Sequence, residues 1–494
     1  MLYIYMEGHD SKYDLFHLSK VFFPHHEIVF IENLEKYKAQ GYLLKSSLYK
    51  DENILYAKAS IYLNGYFHDE RVERIDNIDI GRNSSKAITK IGIKKSIYNV
   101  FLSIADKKAP WGILMGIRPV KIVHNLLDKE IDEDRILNIL VKEYKLDLRK
   151  ANLIMDISKR QRKYIYPLDG NRFSLYISIP FCPSRCIYCS FPSVPISRYA
   201  DMIGEYRDRL IWEIDKIGEL MSEKQINTVY IGGGTPTAIP AGDLNRIIQR
   251  VYLNFGKDNI REFTVEAGRP DTVTREMLNM LKENDIDRIS INPQTMNDKT
   301  LRIIGRCHDR KDTERAYHLA KEIGFQIINM DLIVGLPYEG REEIIKTLVD
   351  IEKLDPENLT VHTLAIKRGS KFERTVNRYS IGDQYTIERM LKETVNYAYR
   401  MDLKPYYLYR QKQIMGNFEN IGYSKEGMEC IYNIAIMEER ETIIGAGMGA
   451  VSKILLSGKN RLKRVPNFKS MEEYMKRTDE LVGRKREVLL LSTL

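Results

Sequence analysis

The sequence predicts an α/β protein centred on a partial, open (β/α)6 barrel, with an N-terminal α+β module and a C-terminal extension. Three observations predict it. Between about residues 172 and 366, six short β-rich runs alternate with longer amphipathic stretches, the pattern of parallel strands joined by crossover helices. Outside that span the alternation is lost. The 494 residues exceed what one such unit needs, since a domain takes about 150.

Residues 1–166 carry strand-like Ile28–Ile31 and Ile54–Leu63, then helical patterns near Lys86–Ala105, Lys121–Leu127 and Asp132–Tyr144. Strands followed by helices read as a separate α+β module. Within it, the stretch from Trp111 to Pro119 is explained by a buried Trp beside a Gly/Pro turn. Residues 167–366 hold the barrel runs Ser174–Ile179, Asn227–Ile231, Glu262–Glu266, Arg288–Asn292, Ile327–Val334 and Leu359–Ala365. Between them, Arg198–Met221, Gly242–Phe255, Thr274–Glu283, Lys311–Ile323 and Glu342–Leu354 repeat apolar residues every three or four positions, as one buried helix face requires. An eight-fold barrel needs two more units, so the barrel is expected to be open, with functional groups at the strands' C-terminal ends. Residues 367–494 are expected to form a C-terminal region covering the substrate.

Composition narrows the class. Hydrophobic residues are 43% and charged residues 29%, which excludes a disordered or collagenous chain. The net charge of +9 is thin over this length, and no long basic block resembles a nucleic-acid arm. Arg484-Lys485-Arg486 reads as a solvated face, and no nucleic-acid partner is expected. No run of eighteen apolar residues occurs, so no membrane span is expected. Acidic residues interrupt MLYIYMEGHDSKYD before a signal-peptide core forms, and the expected address is cytoplasmic. Five cysteines, an odd number, point to metal or redox chemistry rather than a disulfide framework.

Cys182, Cys186 and Cys189 form C-x3-C-x2-C in PFCPSRCIYCSF, directly after the first barrel strand. Structural zinc wants four ligands in two pairs, and no second C-x2-C or H-x3-H exists to supply them. Three thiolates suit a [4Fe–4S] cluster with one iron left open for another ligand. Further along, Gly232-Gly233-Gly234-Thr235-Pro236-Thr237 follows the second strand. Glycines let backbone approach a ligand closely, although a tight turn alone explains them as well. Glu266, ending strand three, suits an ammonium, although an exposed strand-end acid explains it as well. Arg306, in IIGRCH, suits a carboxylate through its two-pronged guanidinium. Gln294 and Asp331, at the ends of strands four and five, suit hydroxyl groups.

These residues resemble the radical S-adenosylmethionine (SAM) superfamily, whose motif has this cysteine spacing after the first strand of a partial, TIM-like barrel. The resemblance implies that SAM chelates the fourth iron. One electron from the cluster then splits the sulfonium into methionine and a 5′-deoxyadenosyl radical. LYISIPFC, CIYC, GGGTPT, DRISINPQ, IIGRCH and DLIVGLP, spread over about residues 172–455, are similar to the oxygen-independent coproporphyrinogen III oxidase family. The N-terminal module and the segments PYYLYRQKQIMGN and IYNIAIMEE extend the likeness to its HemZ branch. By position, Tyr176, Tyr188, Gly233, Gly234, Thr235, Glu266, Gln294, Arg306, Asp331 and Ala365 fall where that family contacts SAM.

The implied reaction is oxidative decarboxylation of two propionates of coproporphyrinogen III to vinyl groups, giving protoporphyrinogen IX in oxygen-independent haem biosynthesis. An electron donor such as flavodoxin or ferredoxin is implied with it. A ring with four propionates needs cations and aromatic surface, and Tyr406, Tyr407, Tyr409, Arg410 and Lys412 offer both; an amphipathic strand packed on the barrel explains them equally. Two departures stand out: Phe191 replaces a cysteine of the oxidase, as in the haem chaperone HemW, and Ser178 stands where the oxidase strand has histidine. The alternative is therefore a haem-binding chaperone that retains the cluster. Cys307 and His308 read as a packed thiol with a surface imidazole, and Cys430 as structural.

Overall fold

Each of the chain's two compact units, Met1–Lys159 and Arg160–Leu494, is built on its own main sheet. The computed structural model describes residues 1–75, 85–105, 109–116, 118–367, 369–411, 418–456 and 461–493.

In the first unit β1 (Leu2–Glu7) lies between β2 (Ile28–Ile31) and β3 (Tyr42–Asp51), parallel to both. An antiparallel meander continues from β3 through β4 (Ile54–Leu63) to β5 (Tyr66–Ile75). The helix Ser85–Leu102 packs on β4 and β5, burying Ile93, Ile97 and Phe101. Trp111 is buried as expected of a packing residue.

The second unit holds an eleven-stranded sheet. Six parallel strands form the barrel: β6 (Arg172–Ile179), β9 (Gln225–Gly233), β10 (Glu262–Glu266), β11 (Arg288–Ser290), β12 (Ile327–Val334) and β13 (Asn358–Thr363). Between the first two of these, the short β7 (Phe181–Cys182) and β8 (Val194–Pro195) pair with each other. The crossover helices Ile203–Leu220, Ala241–Phe255, Arg275–Glu283, Arg310–Ile323 and Arg341–Leu354 match the amphipathic stretches of the sequence. Thr274 caps the third of them from its side chain, and Asp309 opens the fourth with a capping box. The observed α/β barrel is the one the alternation predicts, and the sheet order leaves it open.

The C-terminal residues complete this sheet rather than standing apart from it. β14 (Lys404–Tyr409) and β15 (Asn420–Ser424) extend it antiparallel beyond β13. On the other side β16 (Thr442–Ala446) runs parallel to β6, followed by β17 (Val451–Leu456) and β18 (Arg461–Pro466). The expected division at 166 and 366 therefore differs from the observed one. Arg160 and Tyr164 hydrogen-bond Glu429, which draws the end of the helix Leu148–Ile165 into the second unit. No described helix is long and apolar enough to cross a membrane.

The reading of Arg484-Lys485-Arg486 as a solvated face is corrected at its centre. Lys485 is fully buried in the helix Met471–Thr493, with its ammonium 2.7 Å from Glu213 on the helix Ile203–Leu220. Glu213 also accepts from the Asn467 amide, the Tyr474 hydroxyl and the Gly447 backbone N–H, and Lys485 donates to Asn467. Such a pair is tolerated because its remaining hydrogen-bonding capacity is used; removing one partner strands a buried charge. Lys485→Ala is expected to lower the unfolding free energy by about 3–5 kcal/mol, and the exposed neighbour change Arg486→Ala by no more than about 0.5 kcal/mol. Urea unfolding of both variants checks the contrast.

Candidate active site

The loop after β6 carries the three thiols and is stitched down at several points. The Thr235 amide donates to the Phe181 carbonyl at 2.8 Å, and its hydroxyl lies 3.6 Å from Cys182 Sγ. Across the barrel mouth, the Ile187 amide donates to the Ile304 carbonyl at 3.0 Å and the Ser184 hydroxyl to the Gly305 carbonyl at 2.7 Å. The Phe372 amide donates to the Ile187 carbonyl, and Ile187 packs with Leu301, Ile304, Ile333, Leu336, Leu364 and Phe372. Cys186 is buried, Cys182 and Cys189 half-buried, and none is in a disulfide. Burial, with the neighbouring thiols, pushes Cys182 and Cys189 above the usual thiol range, so a metal binding them displaces protons. Among the described residues no trio of His, Cys, Asp or Glu is grouped for a single metal ion. The loop offers three soft sulfur donors, the chemistry of an iron–sulfur cluster.

The glycine turn crosses directly over this loop. Gly233 has φ +109°, and a Cβ there would lie 2.7 Å from Ser178 Oγ. A Cβ on Gly232 would meet the Glu266 carboxyl at 2.9 Å. Position 233 thus favours glycine for its backbone as well as its space, whereas a side chain at Gly232 would displace Glu266, and the turn leaves half-buried backbone between the thiol loop and Glu266. Glu266 accepts from the Tyr230 hydroxyl at 2.7 Å. Burial pushes its carboxyl up to about 7, helped by the charge of Asp331 and opposed by the Tyr230 hydroxyl and the Gly233 backbone.

Alternation along the barrel strands sets which side chains face the accessible interior. In β12, Ile328, Met330 and Leu332 are fully buried, whereas Asn329 and Asp331 are half-buried. The corresponding half-buried positions on the other strands are Tyr176, Tyr230, Glu266, His362 and Tyr409. Asn329 donates to Asp331 at 2.8 Å, and His362 lies 3.7 Å from Asp331 and 3.0 Å from the Tyr409 hydroxyl. Burial opposes the charge of Asp331, yet His362, Asn329 and Thr360 outweigh it and hold the carboxyl below the usual range.

Arg306 reaches the same mouth. Its guanidinium donates to the Gly268 and Asn292 carbonyls and to the Tyr188 hydroxyl at 3.4 Å, while Nε has no protein partner. Gln294 extends the pairing of β11 and β12 with its backbone, at φ +68°, and its buried Oε1 is also without a protein partner. These unmet groups, the three thiols and the open glycine backbone fit a cluster with a bound sulfonium nucleotide. Ala365 is buried where the chain leaves β13.

The five expected substrate contacts separate. Tyr406 and Tyr407 are buried in β14, Tyr409 is half-buried and stacked on Tyr407, and Arg410 is buried, its guanidinium pushed down by burial to about 10. Lys412 lies outside the described residues. Cys307 and His308 invert their expected arrangement: the thiol is exposed and the imidazole buried beside Asp271. Cys430 is buried at the start of the helix Ile431–Glu438, where Glu262 accepts from the Ile431 and Tyr432 amides. Sequence reasoning missed Tyr230, Tyr432 and His362. Tyr230 is the register partner of Tyr176 and stacks with Tyr432 at 4.6 Å. Their signal is strand register, which one sequence does not print.

The barrel, the thiol loop and the glycine turn together define a radical SAM protein, and the radical SAM superfamily profile matches residues 176–351. Over 406 residues the chain is 41% identical to the oxygen-independent coproporphyrinogen-III oxidase-like protein HemZ of Bacillus subtilis, covering 80% of this chain and 81% of that one. The chain belongs to this oxidase-like family within the superfamily. It is also 30% identical over 279 residues to the heme chaperone HemW of B. subtilis, covering 56% of this chain and 70% of HemW. Among solved structures, coproporphyrinogen III oxidase (HemN) of Escherichia coli shares the fold at TM-score 0.52 and 21% identity, over 67% of this chain and 78% of that one. The cofactors of the family are a [4Fe–4S] cluster and SAM.

Glu266 allows a test on the cofactor-free protein. Its folded-state carboxyl, at about 7, is raised above the ordinary 4.5. Its contribution to stability is therefore present below about 4.5 and lost as pH rises through about 7. Glu266→Gln, which keeps the neutral form, is expected to be more stable than wild type at pH 8 by about 1–3 kcal/mol. The advantage should close toward pH 4.5. Urea unfolding at the two pH values measures it.

Proposed function

We propose that the chain is a cytoplasmic radical SAM coproporphyrinogen III dehydrogenase, converting two propionates to vinyl groups with release of carbon dioxide. The observation that carries this reading is the likeness to HemZ across four-fifths of both chains. The half-buried polar groups at the strands' C-terminal ends support it. In this reading Cys182, Cys186 and Cys189 hold the cluster, in a compartment that keeps thiols reduced. When bound, the cluster and SAM supply a one-electron cleavage of the sulfonium, yielding a hydrogen-abstracting species.

The chain's own residues position and shield. Gly233, Gly234 and Thr235 present backbone to the methionyl part, Glu266 receives the ammonium and Arg306 the carboxylate. Gln294 and Asp331 accept from the ribose hydroxyls, with Tyr176, Tyr188 and Ala365 as the remaining contacts. Tyr409 stands on the substrate side, hydrogen-bonded to His362, and Lys412 belongs to the same segment. Flavodoxin or ferredoxin is the class of electron donor.

Phe191, 56% exposed two positions after the third cysteine, favours a second reading: a haem chaperone that keeps the cluster. One experiment separates them. Reconstituted protein is supplied anaerobically with reductant, SAM and coproporphyrinogen III, and is separately titrated with haem. Methionine, 5′-deoxyadenosine and a vinyl product support the dehydrogenase; methionine with no substrate-derived product, alongside saturable haem binding, replaces it with the chaperone.

The ligand assignment has its own check. Cys186→Ala is expected to lose the iron–sulfur absorbance and all SAM cleavage, with unfolding free energy within about 1 kcal/mol of the metal-free wild type, because the apolar barrel core does not include the metal. Retained visible colour and cleavage would refute it.

A further inference from the structure

A cation with no part in the roles above lies against the thiol loop. Arg269, on the turn after β10, has a side chain only 4% exposed. Its Nη1 is 3.9 Å from Cys186 Sγ and donates to the Ser184 hydroxyl at 3.1 Å and carbonyl at 3.3 Å. The opposite edge of the guanidinium forks onto Asp271, with Nε to Oδ1 at 3.0 Å and Nη2 to Oδ2 at 3.1 Å. Behind Asp271, buried His308 has Nδ1 3.5 Å from Oδ1. Two parallel bonds to a carboxylate fix a guanidinium in plane and orientation, which lysine's point charge does not reproduce. The result is a dipole whose buried positive end points at a sulfur and whose partly exposed negative end lies one group further away.

We infer that Arg269 is an electrostatic positioning residue that sets the reduction potential of the cluster, with Asp271 holding it and partly offsetting it. The inference rests on the reading that Cys186 is a cluster ligand. Reduction adds an electron to the cluster, and a fixed cation beside a ligand sulfur, donating a hydrogen bond to it, favours that added charge. Screening is weak because the group is buried. The two members of the dipole must therefore act in opposite directions. Losing the guanidinium makes the cluster harder to reduce, and losing the carboxylate makes it easier. A merely structural ion pair predicts no such opposition, since either loss loosens the same loop.

The test uses full-length wild type, Arg269→Gln, Arg269→Lys and Asp271→Asn, each reconstituted anaerobically with iron and sulfide without SAM. Iron content and circular dichroism are matched, and the midpoint potential is read by redox titration with low-temperature EPR. The expected order is Arg269→Gln below wild type, Arg269→Lys between them, and Asp271→Asn above wild type. Equal potentials throughout, or a shift of Arg269→Gln and Asp271→Asn in one direction, overturns the inference. Should Arg269→Gln fail to fold, Asp271→Asn still decides: a potential at or below wild type overturns it. Wild type that takes up no cluster overturns the ligand reading and this inference together, whereas a wild-type cluster with unmoved variants overturns this inference alone.

Discussion

The two-residue period of parallel strands is the constraint on which the rest of this molecule depends. A strand covered by helices on its outer face has only its alternate positions available for chemistry, and each of those must be placed by register with its neighbour. Ser290 sits beside Glu266 on one side and Asn329 on the other, and Asp331 beside Thr360. A one-residue slip in β12 would turn Asn329 and Asp331 into the apolar layer and bring Met330 and Leu332 to the mouth. The buried outer face thus enforces the polar inner one. Hydrophobic packing, which is not directional, acquires a directional consequence through the strand period.

The inner face is also closed from below. Glu262, at the start of β10, binds Arg288 and at the same time accepts from the first amides of the helix Ile431–Glu438. A carboxylate at a helix N-terminus is favoured by both the free amides and the helix dipole. Arg288 also donates to Asn358 and to the Met428 carbonyl, so one ion pair joins three barrel strands to the segment before the helix. The helix carries Tyr432 into a stack with Tyr230 and Tyr176. That aromatic layer lies across the barrel interior, as side-chain layers fill closed barrels.

What was legible in the sequence was what is local in the chain. The six strands and five crossover helices show because β-branched runs and three-to-four spacing are short-range signals, and their ends shift by only a few residues. The three cysteines and GGGTPT are legible for the same reason: one loop supplies each set. β16 was not legible. Thr442–Ala446 is five residues ending in Gly and Ala, and only its pairing with β6, far upstream, makes it a strand. Lys485 was misread because a basic triplet on a helix looks solvated until its central member meets Glu213. Cys307 and His308 were inverted because Asp271, the carboxylate beside the buried imidazole, lies more than thirty residues away.

Energetic costs are distributed with the same logic. The buried network around Glu213 and the ion pair of Glu262 with Arg288 are supplied with partners from several elements. At the mouth the balance differs. Glu266 is held near neutrality by burial, Gln294 adopts a left-handed backbone with an unpartnered amide oxygen, and Arg306 retains an unpartnered Nε. Each of these is unfavourable by itself, by about 1–3 kcal/mol for a strained backbone or an unmet buried polar group. Glu266 ends β10, Gln294 lies just beyond β11, and Arg306 reaches in from the segment between the helices Asp298–Ile303 and Arg310–Ile323 to donate to the Asn292 carbonyl and the Tyr188 hydroxyl. A ligand that brings a cation to Glu266 and acceptors to Arg306 relieves several costs at once, and its binding free energy includes that relief. At these three positions the local rules of folding are broken where a polar ligand would mend them.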